Sequence, residues 1–564
     1  MNAPTPALVA RPERLRLVGQ RRQILAVVHQ RLMFGMILYA GIIAIIVLRL
    51  VWLAAFGDHA GRRGGPISLV PPRGDIVDRD GKLLAGSIDV WSIGIHPARV
   101  IGNKLDLARE LARLMPERDA ADYLAMLRSD KTYYFLQRRA SPQLVEAVNA
   151  LGEPGLALER SPDRLYPQTS LAAHVLGFTD IDGHGAAGAE RAFDQQLSDP
   201  ATRGTPLTLS ISSKVQQALE HELHAAMSEF SAIGAAGIVM DIHTGEVLAM
   251  TSLPDLNPNI AGRAAPEARF SRATLGVYEL GSTYKPFTVA MAMDAGVVKS
   301  MGQMYSCPQQ FRYGKVIVND THPFGRACSV AEIMKESSNI GTAQIALKLG
   351  AARQKAFLDK MGFLAPLQFE LRERGRTLTP GNDWGEVATM TVGYGHGIAV
   401  TPLHLASGYA TLFNGGVYRP PTILKVDRTH KVGPGRRVFT EETSSKSRAL
   451  LRLVVAKGTG KKADAPGYRV GGKTGTAEKY TSNQVVTSFA GVFPMDEPRY
   501  VVVAMLDEPK ATKETFGFHT AGWNVAPVIS RTVSRIAPML GVRPDMKRDA
   551  NLAEVLPFVH EKEK

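Results

Sequence analysis

Ser282 and Lys285 stand three positions apart in Glu279-Leu-Gly-Ser-Thr-Tyr-Lys-Pro-Phe287. Apolar residues follow at helical spacing: Phe287, Val289, Ala290, Met291 and Met293. The pattern predicts a helix whose first turn carries the serine. Residues i and i+3 share one helix face, so the lysine amine can reach the serine hydroxyl. A serine hydroxyl is a weak nucleophile until a base takes its proton. A desolvated lysine near another cation gives up its own proton readily and can serve as that base. The helix N-terminus adds free N–H groups and a positive dipole end, which favour the negative charge that develops in such an attack. Ser-x-x-Lys alone is weak evidence, since a helix-capping serine beside a solvated lysine has the same spelling.

Two further elements accompany it. Ser337-Ser-Asn339 lies between helical runs at 330–335 and 340–349. Lys473-Thr474-Gly475-Thr476 precedes extended runs at 485–493 and 500–506, which read as antiparallel strands of one sheet with Lys473-Thr-Gly on an adjacent edge. The same residues also spell a phosphate-cradling loop, Gly467-Tyr-Arg-Val-Gly-Gly472-Lys473-Thr474. That loop needs a buried strand before it and a helix after it. Lys461-Lys-Ala-Asp-Ala-Pro466 is no such strand, and the residues after Thr474 have no amphipathic period, which argues against nucleotide binding.

The elements that must position these residues follow from the rest of the 564-residue chain. It is 45% hydrophobic and 21% charged, a globular composition with room for two ordinary domains. The net charge of +14 raises nucleic acid as a partner, but no nucleic-acid motif is present. Much of the basic character gathers at Arg11, Arg14, Arg16, Arg21, Arg22 and Arg31. Residues 32–56 are then apolar apart from Arg49, which lies where a long side chain can reach the interface, beside Trp52. The segment reads as a retained single-pass anchor rather than a cleaved signal, with 1–31 in the cytoplasm and the remainder outside. Residues 57–206 read as an α+β scaffold: a hairpin at Asp80-Gly81, a strand at 90–95 with Trp91, Ile93 and Ile95 on one face, helices at 105–114, 119–127 and 142–151, and a loop-rich stretch at 161–197. No nucleophile–base pair stands out there. A second α+β domain covers 207–544, and 545–564 reads as a charged, mobile tail. Cys307 and Cys328 fall in the exported part, where a disulfide and a pair of buried thiols are both open readings. Neither they nor the histidines show a metal-ligand spacing, so no metal and no cofactor is expected. His396 follows Gly393-Tyr-Gly395 and reads as a satisfied structural histidine, with a place lining the cleft as the alternative.

Ser-x-x-Lys, Ser-x-Asn and Lys-Thr-Gly in that order resemble the signature set of penicillin-binding proteins and serine β-lactamases. The resemblance extends to Arg73-Gly-Asp-Ile-Val-Asp-Arg-Asp-Gly81, the Tyr166-Pro and Gly188-Ala-Glu190 region, and Val392-Gly-Tyr-Gly395 with Val400-Thr-Pro402, all of which look like class B penicillin-binding proteins. Lys473-Thr-Gly-Thr-Ala-Glu-Lys479 and Ser488-Phe-Ala-Gly-Val-Phe-Pro494 resemble the division-septum type (FtsI type) more than the cell-elongation type. Leu280 departs from the family, which usually has proline before Gly-Ser. The resemblance implies a pedestal (dimerisation-type) domain followed by a transpeptidase domain with a central antiparallel sheet flanked by helices. It implies that Ser282 attacks the penultimate D-alanine carbonyl of a peptidoglycan stem pentapeptide, with Lys285 as base and Ser337 and Lys473 relaying the proton. Asn339, Thr474, Gly475 and Thr476 would bind substrate. β-Lactams would acylate Ser282, and a SEDS-family glycan polymerase and other division proteins would be partners at the inner membrane. A β-lactamase or carboxypeptidase shares the three motifs, but the scaffold and anchor argue against both. An elongation-type transpeptidase and an inactive anchored division scaffold remain alternatives.

Overall fold

The computed structural model describes residues 31–49, 72–427, 431–480, 482 and 484–560. The chain divides into two units, 1–67 and 68–564. In the first, helix α1 (Arg31–Arg49) is long and apolar enough to cross a bilayer, and its side chains are exposed. Of the expected anchor at 32–56, residues 50–56 lie outside the described residues, as do 1–30.

The second unit begins with an antiparallel hairpin of β1 (Ile76–Val77) and β2 (Leu83–Ile95). Asp78 shapes the turn by accepting the amides of Asp80 and Lys82, each at 2.9 Å. Helices α2 (Lys104–Leu114) and α3 (Ala120–Arg128) follow, capped by Asn103 and Asp119. Then come β3 (Tyr134–Ala140), α4 (Pro142–Asn149) and β4 (Leu156–Leu165). β2 pairs antiparallel with both β3 and β4. Ile93, Ile95, Leu107, Leu111, Tyr123, Leu136 and Val148 fill the core between this sheet and its helices.

The stretch expected to be mostly loop carries the short helices α5 (Ala173–Leu176), α6 (Gly188–Ala192) and α7 (Asp194–Ser198). Three motifs with no apparent chemistry meet there. Glu190 is fully buried and takes Arg73 Nε at 3.1 Å on one carboxylate oxygen and Arg164 Nε at 2.6 Å on the other. Tyr166 donates to the same carboxylate at 3.2 Å, and Arg73 also reaches Asp194 at 2.7 Å. Arg164 in addition donates to the Gly74 carbonyl at 2.9 Å. Chain segments distant in sequence are therefore fastened by charges that have no water to fall back on. β5 (Leu207–Thr208) then pairs parallel with β1.

The following region is built on one antiparallel sheet. Helix α8 (Ser213–Glu229) leads into β6 (Gly234–Asp241) and β7 (Val247–Leu253), and the chain returns much later as β14 (Gly471–Glu478), β15 (Val485–Phe493) and β16 (Tyr500–Asp507). The strand order is β14-β15-β16-β6-β7, so Lys473-Thr-Gly lies on the edge strand as the sequence predicts. β7, β15 and β16 are buried at every position, because helices cover both faces. α8 and α17 (Val525–Met539) cover one face. Between β7 and β14 lie α9 (Pro266–Arg269), α10 (Lys285–Asp294), β8 (Met304–Cys307), β9 (Phe311–Tyr313), β10 (Val316–Val318), β11 (Arg326–Ser329), α11 (Val330–Glu336), α12 (Asn339–Leu349), α13 (Ala351–Lys360), α14 (Glu386–Gly393), α15 (Pro402–Phe413), β12 (Val417–Tyr418), β13 (Arg436–Arg437) and α16 (Glu441–Lys457). Of these, α15 packs on the other face of the sheet, and α16 packs beside β14.

Four outcomes bear on the sequence reading. Cys307 and Cys328, the former on β8 and the latter on its partner β11, are joined as a disulfide. β14 runs through Lys473-Thr474 as a strand and turns into another strand, so no helix follows and the phosphate loop is not formed. Residues 545–560 are not a mobile tail. Asp549 pairs with Arg452 at 2.6 Å, Val555 is fully buried, and His560 sits 2.9 Å from Glu332. Finally, Leu280, the departure from the family pattern, is buried in the main core, so apolar burial holds this position.

Removing Glu190 from the buried knot leaves the buried Arg164 guanidinium without its counter-charge and Arg73 with Asp194 alone. Glu190→Ala should cost about 3 kcal/mol or more. This is read as a lowered urea midpoint of the full chain in detergent, and an unchanged midpoint would contradict the account.

Candidate active site

Ser282 lies in a tight 3-10 turn, Gly281–Tyr284, and the α-helix proper begins at Lys285 with Pro286 in its first turn. The serine is thus just ahead of the helix rather than inside it. The turn is held by its backbone. Thr283 donates its hydroxyl to the Leu280 carbonyl at 2.8 Å, and Tyr409 donates to the Thr283 carbonyl at 3.0 Å. The Gly281 amide donates to the Gly395 carbonyl at 3.2 Å. Edge strand β14 lies directly against this turn. A Cβ on Gly475 would stand 2.3 Å from the Leu280 carbonyl oxygen, and one on Gly395 would stand 1.9 Å from that of Gly281. Only glycine admits these approaches. The turn stays packed while Ser282 remains half-buried.

Lys285 is fully buried. Its Nζ donates to the Ser337 carbonyl oxygen and, at 3.2 Å, to the Ser337 hydroxyl. Burial pushes its amine down to about 7, partly opposed by the negative charge of Asp320. Lys473 is also fully buried, and burial together with the charge of Lys285 pulls its amine well below the ordinary lysine value. Lys473 Nζ donates to the Thr474 carbonyl at 3.0 Å and lies 3.4 Å from the Thr474 hydroxyl, which in turn meets Thr459 Oγ1 at 3.1 Å. Burial thus suppresses the charge of both lysines, and the charge of Lys285 suppresses that of Lys473 further.

Ser337 adopts a left-handed backbone, φ 62°, where α11 ends. A non-glycine residue pays about 1–2 kcal/mol there. The turn points both the carbonyl and the hydroxyl of Ser337 at Lys285 and restarts the chain as α12, with Ser338 as the N-cap. Asn339, the first residue of α12, donates its side-chain amide to the Asn319 carbonyl at 3.0 Å. Ser337 and Asn339 are half-buried, as are Ser282 and Thr476. Thr474 and Thr476 share one face of β14 by its two-residue period. Thr476 accepts the Ala521 amide at 3.2 Å. Thr474 is more enclosed and is occupied by Lys473 and Thr459, and Gly475 serves the packing against Leu280.

Two groups next to these residues had no motif to reveal them. Asp320 accepts the Ser338 hydroxyl at 2.6 Å and the amides of Asn339 and Ile340 at 2.5 and 3.0 Å. Glu279, three residues before Ser282, accepts the Gly397 amide at 2.8 Å and the Tyr480 hydroxyl at 3.0 Å, and His396 Nδ1 lies 3.1 Å from it. Burial raises the Glu279 carboxyl, but the hydrogen bonds from His396 and Gly397 outweigh this and hold it below the usual carboxylate value. His396 has a satisfied ring nitrogen, and its partner belongs to the nucleophile segment. Among the described residues no cluster of histidine, cysteine and carboxylate side chains could hold a metal ion.

Comparison with known proteins supports the same reading. The penicillin-binding protein transpeptidase domain matches residues 235–529, and the penicillin-binding protein dimerisation domain matches residues 68–203. A probable peptidoglycan D,D-transpeptidase FtsI of Caulobacter vibrioides is 40% identical, covering 87% of this chain and 85% of the relative. Peptidoglycan D,D-transpeptidase FtsI of Escherichia coli K12 is 29% identical over 91% of this chain and 92% of its own. Among solved structures, penicillin-binding protein 3 of Mycobacterium tuberculosis in complex with aztreonam superposes with a TM-score of 0.66 at 25% identity, covering 84% of this chain and 98% of the other. A dimerisation domain ahead of a transpeptidase domain, together with a relative this similar along most of its length, places the chain in the class B penicillin-binding proteins, a family of serine-type transpeptidases.

Proposed function

We propose that this protein is a septal peptidoglycan D,D-transpeptidase, held by a single membrane helix within residues 32–56 with its catalytic part outside the cytoplasm. The division into a tail at 1–31, a pedestal at 57–206, a transpeptidase region at 207–544 and a terminal segment from 545 is part of this proposal. The observation that carries it is the burial of two lysines: Lys285, three residues after the half-exposed Ser282, whose Nζ meets the Ser337 hydroxyl at 3.2 Å, and Lys473, which feels the charge of Lys285. The 40% identity to the Caulobacter FtsI protein supports the septal assignment over the elongation type.

In this reading Ser282 Oγ attacks the carbonyl carbon of the penultimate D-alanine of a stem pentapeptide. Lys285 is a neutral amine at working pH and takes the hydroxyl proton. The tetrahedral oxyanion is met by the backbone N–H groups of Ser282 and Thr476, each such donor worth about 3–4 kcal/mol. As the C–N bond breaks, the proton passes through Ser337, assisted by Lys473, to the leaving D-alanine nitrogen. An ester to Ser282 remains. A stem amine then attacks that ester, Lys285 takes its proton, and an amide crosslink forms as Ser282 is released. Asn339 binds a peptide amide of the donor stem: Asn319 fixes its NH2 group and leaves its carbonyl oxygen to accept. Thr474, Gly475 and Thr476 present the β14 edge to the terminal carboxylate, beside the Lys473 amine. β-Lactams mimic the D-Ala-D-Ala end and acylate the same serine. A SEDS-family polymerase and other division proteins complete the proposed partners, with contacts through the anchor and the pedestal.

Fluorescent penicillin with intact-mass analysis tests the assignment. One adduct is expected on the full chain in detergent and none on Ser282→Ala. No adduct on folded parent protein overturns the enzymatic reading.

The acid limb of the acylation rate reports the base. A group lowered to about 7 in the folded protein is protonated below that pH, so the rate should fall as pH drops through about 7. Lys285→Met should lower the acylation rate by about 10²–10⁴-fold. Its melting temperature should change by only a few degrees, because the desolvation cost of the buried amine is removed while the Ser337 carbonyl and hydroxyl lose their donor. A melting temperature well below the parent's would contradict the burial argument.

A further inference from the structure

The arm between β8 and β11 does more than decorate the surface. Its two strands are paired and closed by the Cys307–Cys328 disulfide, with both sulfurs fully buried. Beyond the β9–β10 hairpin the chain returns through Asn319 and Asp320, and these two residues reach the Ser-x-Asn motif. Both carboxylate oxygens of Asp320 are used. One takes the Ser338 hydroxyl at 2.6 Å, and the other takes the amides of Asn339 and Ile340 at 2.5 and 3.0 Å. The adjoining Asn319 carbonyl takes the Asn339 side-chain amide at 3.0 Å.

We infer that Asp320 is a positioning residue for the transpeptidation reaction: it holds the Ser337-Ser-Asn339 junction so that Ser337 meets Lys285 and Asn339 faces substrate. The inference rests on the reading of Ser282, Lys285 and Ser337 given above. Three facts make it more than helix capping. Ser338 already supplies the N-cap by accepting the Gly341 amide at 2.9 Å, so α12 does not need Asp320 in order to begin. The junction it grips includes a left-handed, non-glycine backbone at Ser337, a conformation that persists only when the surroundings enforce it. Asp320 also supplies negative potential at Lys285, the amine that Ser337 engages.

The charge acting on Lys285 is Asp320 from the arm; the α11–α12 junction presents the neutral Ser337, and the Lys473 amine on β14 is itself pulled well below the ordinary lysine value. Removing the Asp320 charge therefore leaves burial unopposed and lowers the pH at which Lys285 loses its proton. Asp320→Asn keeps an acceptor oxygen for the two amides, and its NH2 can donate to the Ser338 hydroxyl, whose hydrogen rotates to suit. Asp320→Ala keeps none of these bonds.

The test is the rate of penicillin acylation against pH, on the full chain in detergent, for parent, Asp320→Ala and Asp320→Asn, with melting temperatures alongside. Asp320→Ala should lower the plateau by about 10²-fold through misplacement of the relay. Asp320→Asn should stay within a few-fold of the parental plateau while its acid limb moves to lower pH. A merely structural role would not move that limb. A folded Asp320→Ala with the parental rate overturns the inference, and so does an Asp320→Asn limb that superimposes on the parent's. Should Asp320→Ala fail to fold, the Asp320→Asn limb decides. Absence of a Ser282 adduct on the parent would instead defeat the functional reading on which this one rests.

Discussion

Two ammonium groups cannot both remain charged in one dry space, and the site is built around that constraint. Lys285 and Lys473 are each removed from water; burial drives both toward the neutral amine, and the charge of Lys285 drives Lys473 further. A neutral lysine can accept a proton from a serine, whereas a solvated one at neutral pH cannot. The burial needed for this comes from the sheet. Helices cover both of its faces, and β14, although an edge strand, is closed over by the nucleophile turn on one side and α16 on the other. The lowered proton affinity of Lys285 is thus a property of the packing around it, not of the Ser-x-x-Lys spacing.

Such a site tolerates little slack, and the chain removes it by backbone contact rather than by long side chains. Gly281, Gly395 and Gly475 let three segments, distant in sequence, meet at distances that a Cβ would forbid. Ser337 is bent into a left-handed turn so that one residue can offer both a carbonyl and a hydroxyl to Lys285. The cost of that bend is met by its surroundings, including the Asp320 carboxylate on the neighbouring residues. Preorganisation of this kind is what holds buried polar groups in a fixed geometry.

The pedestal uses the opposite electrostatic solution. There the buried charges are kept, and each is answered. Glu190 receives two guanidinium groups and a tyrosine hydroxyl, and Arg73 is shared with Asp194. Buried and fully paired, such a knot is rigid and specifies which segments meet. In one chain the same physical cost of burying charge is thus turned to catalysis in one place and to architecture in another.

Much of this was legible in the amino-acid order. The apolar helix α1, the scaffold strands and helices, the antiparallel runs at β15 and β16, and the edge position of Lys473-Thr-Gly follow from periodicity, because each depends on neighbours along the chain. Ser282, Lys285, Ser337 and Asn339 were nameable because short motifs fix which residue types can perform acyl transfer. What the spelling could not carry was anything set by residues remote in sequence. The disulfide stayed open until β8 and β11 paired. The roles of Arg73, Arg164 and Glu190 appeared only when their segments met. The docking of residues 545–560 depends on Arg452 and Glu332, far back in the chain. Asp320 belongs to no motif at all. The sequence by itself therefore determined which atoms can react and which local elements carry them. Tertiary structure alone decided which of those atoms are dry and how they are aimed, because desolvation and backbone approach arise only when distant segments close around one another.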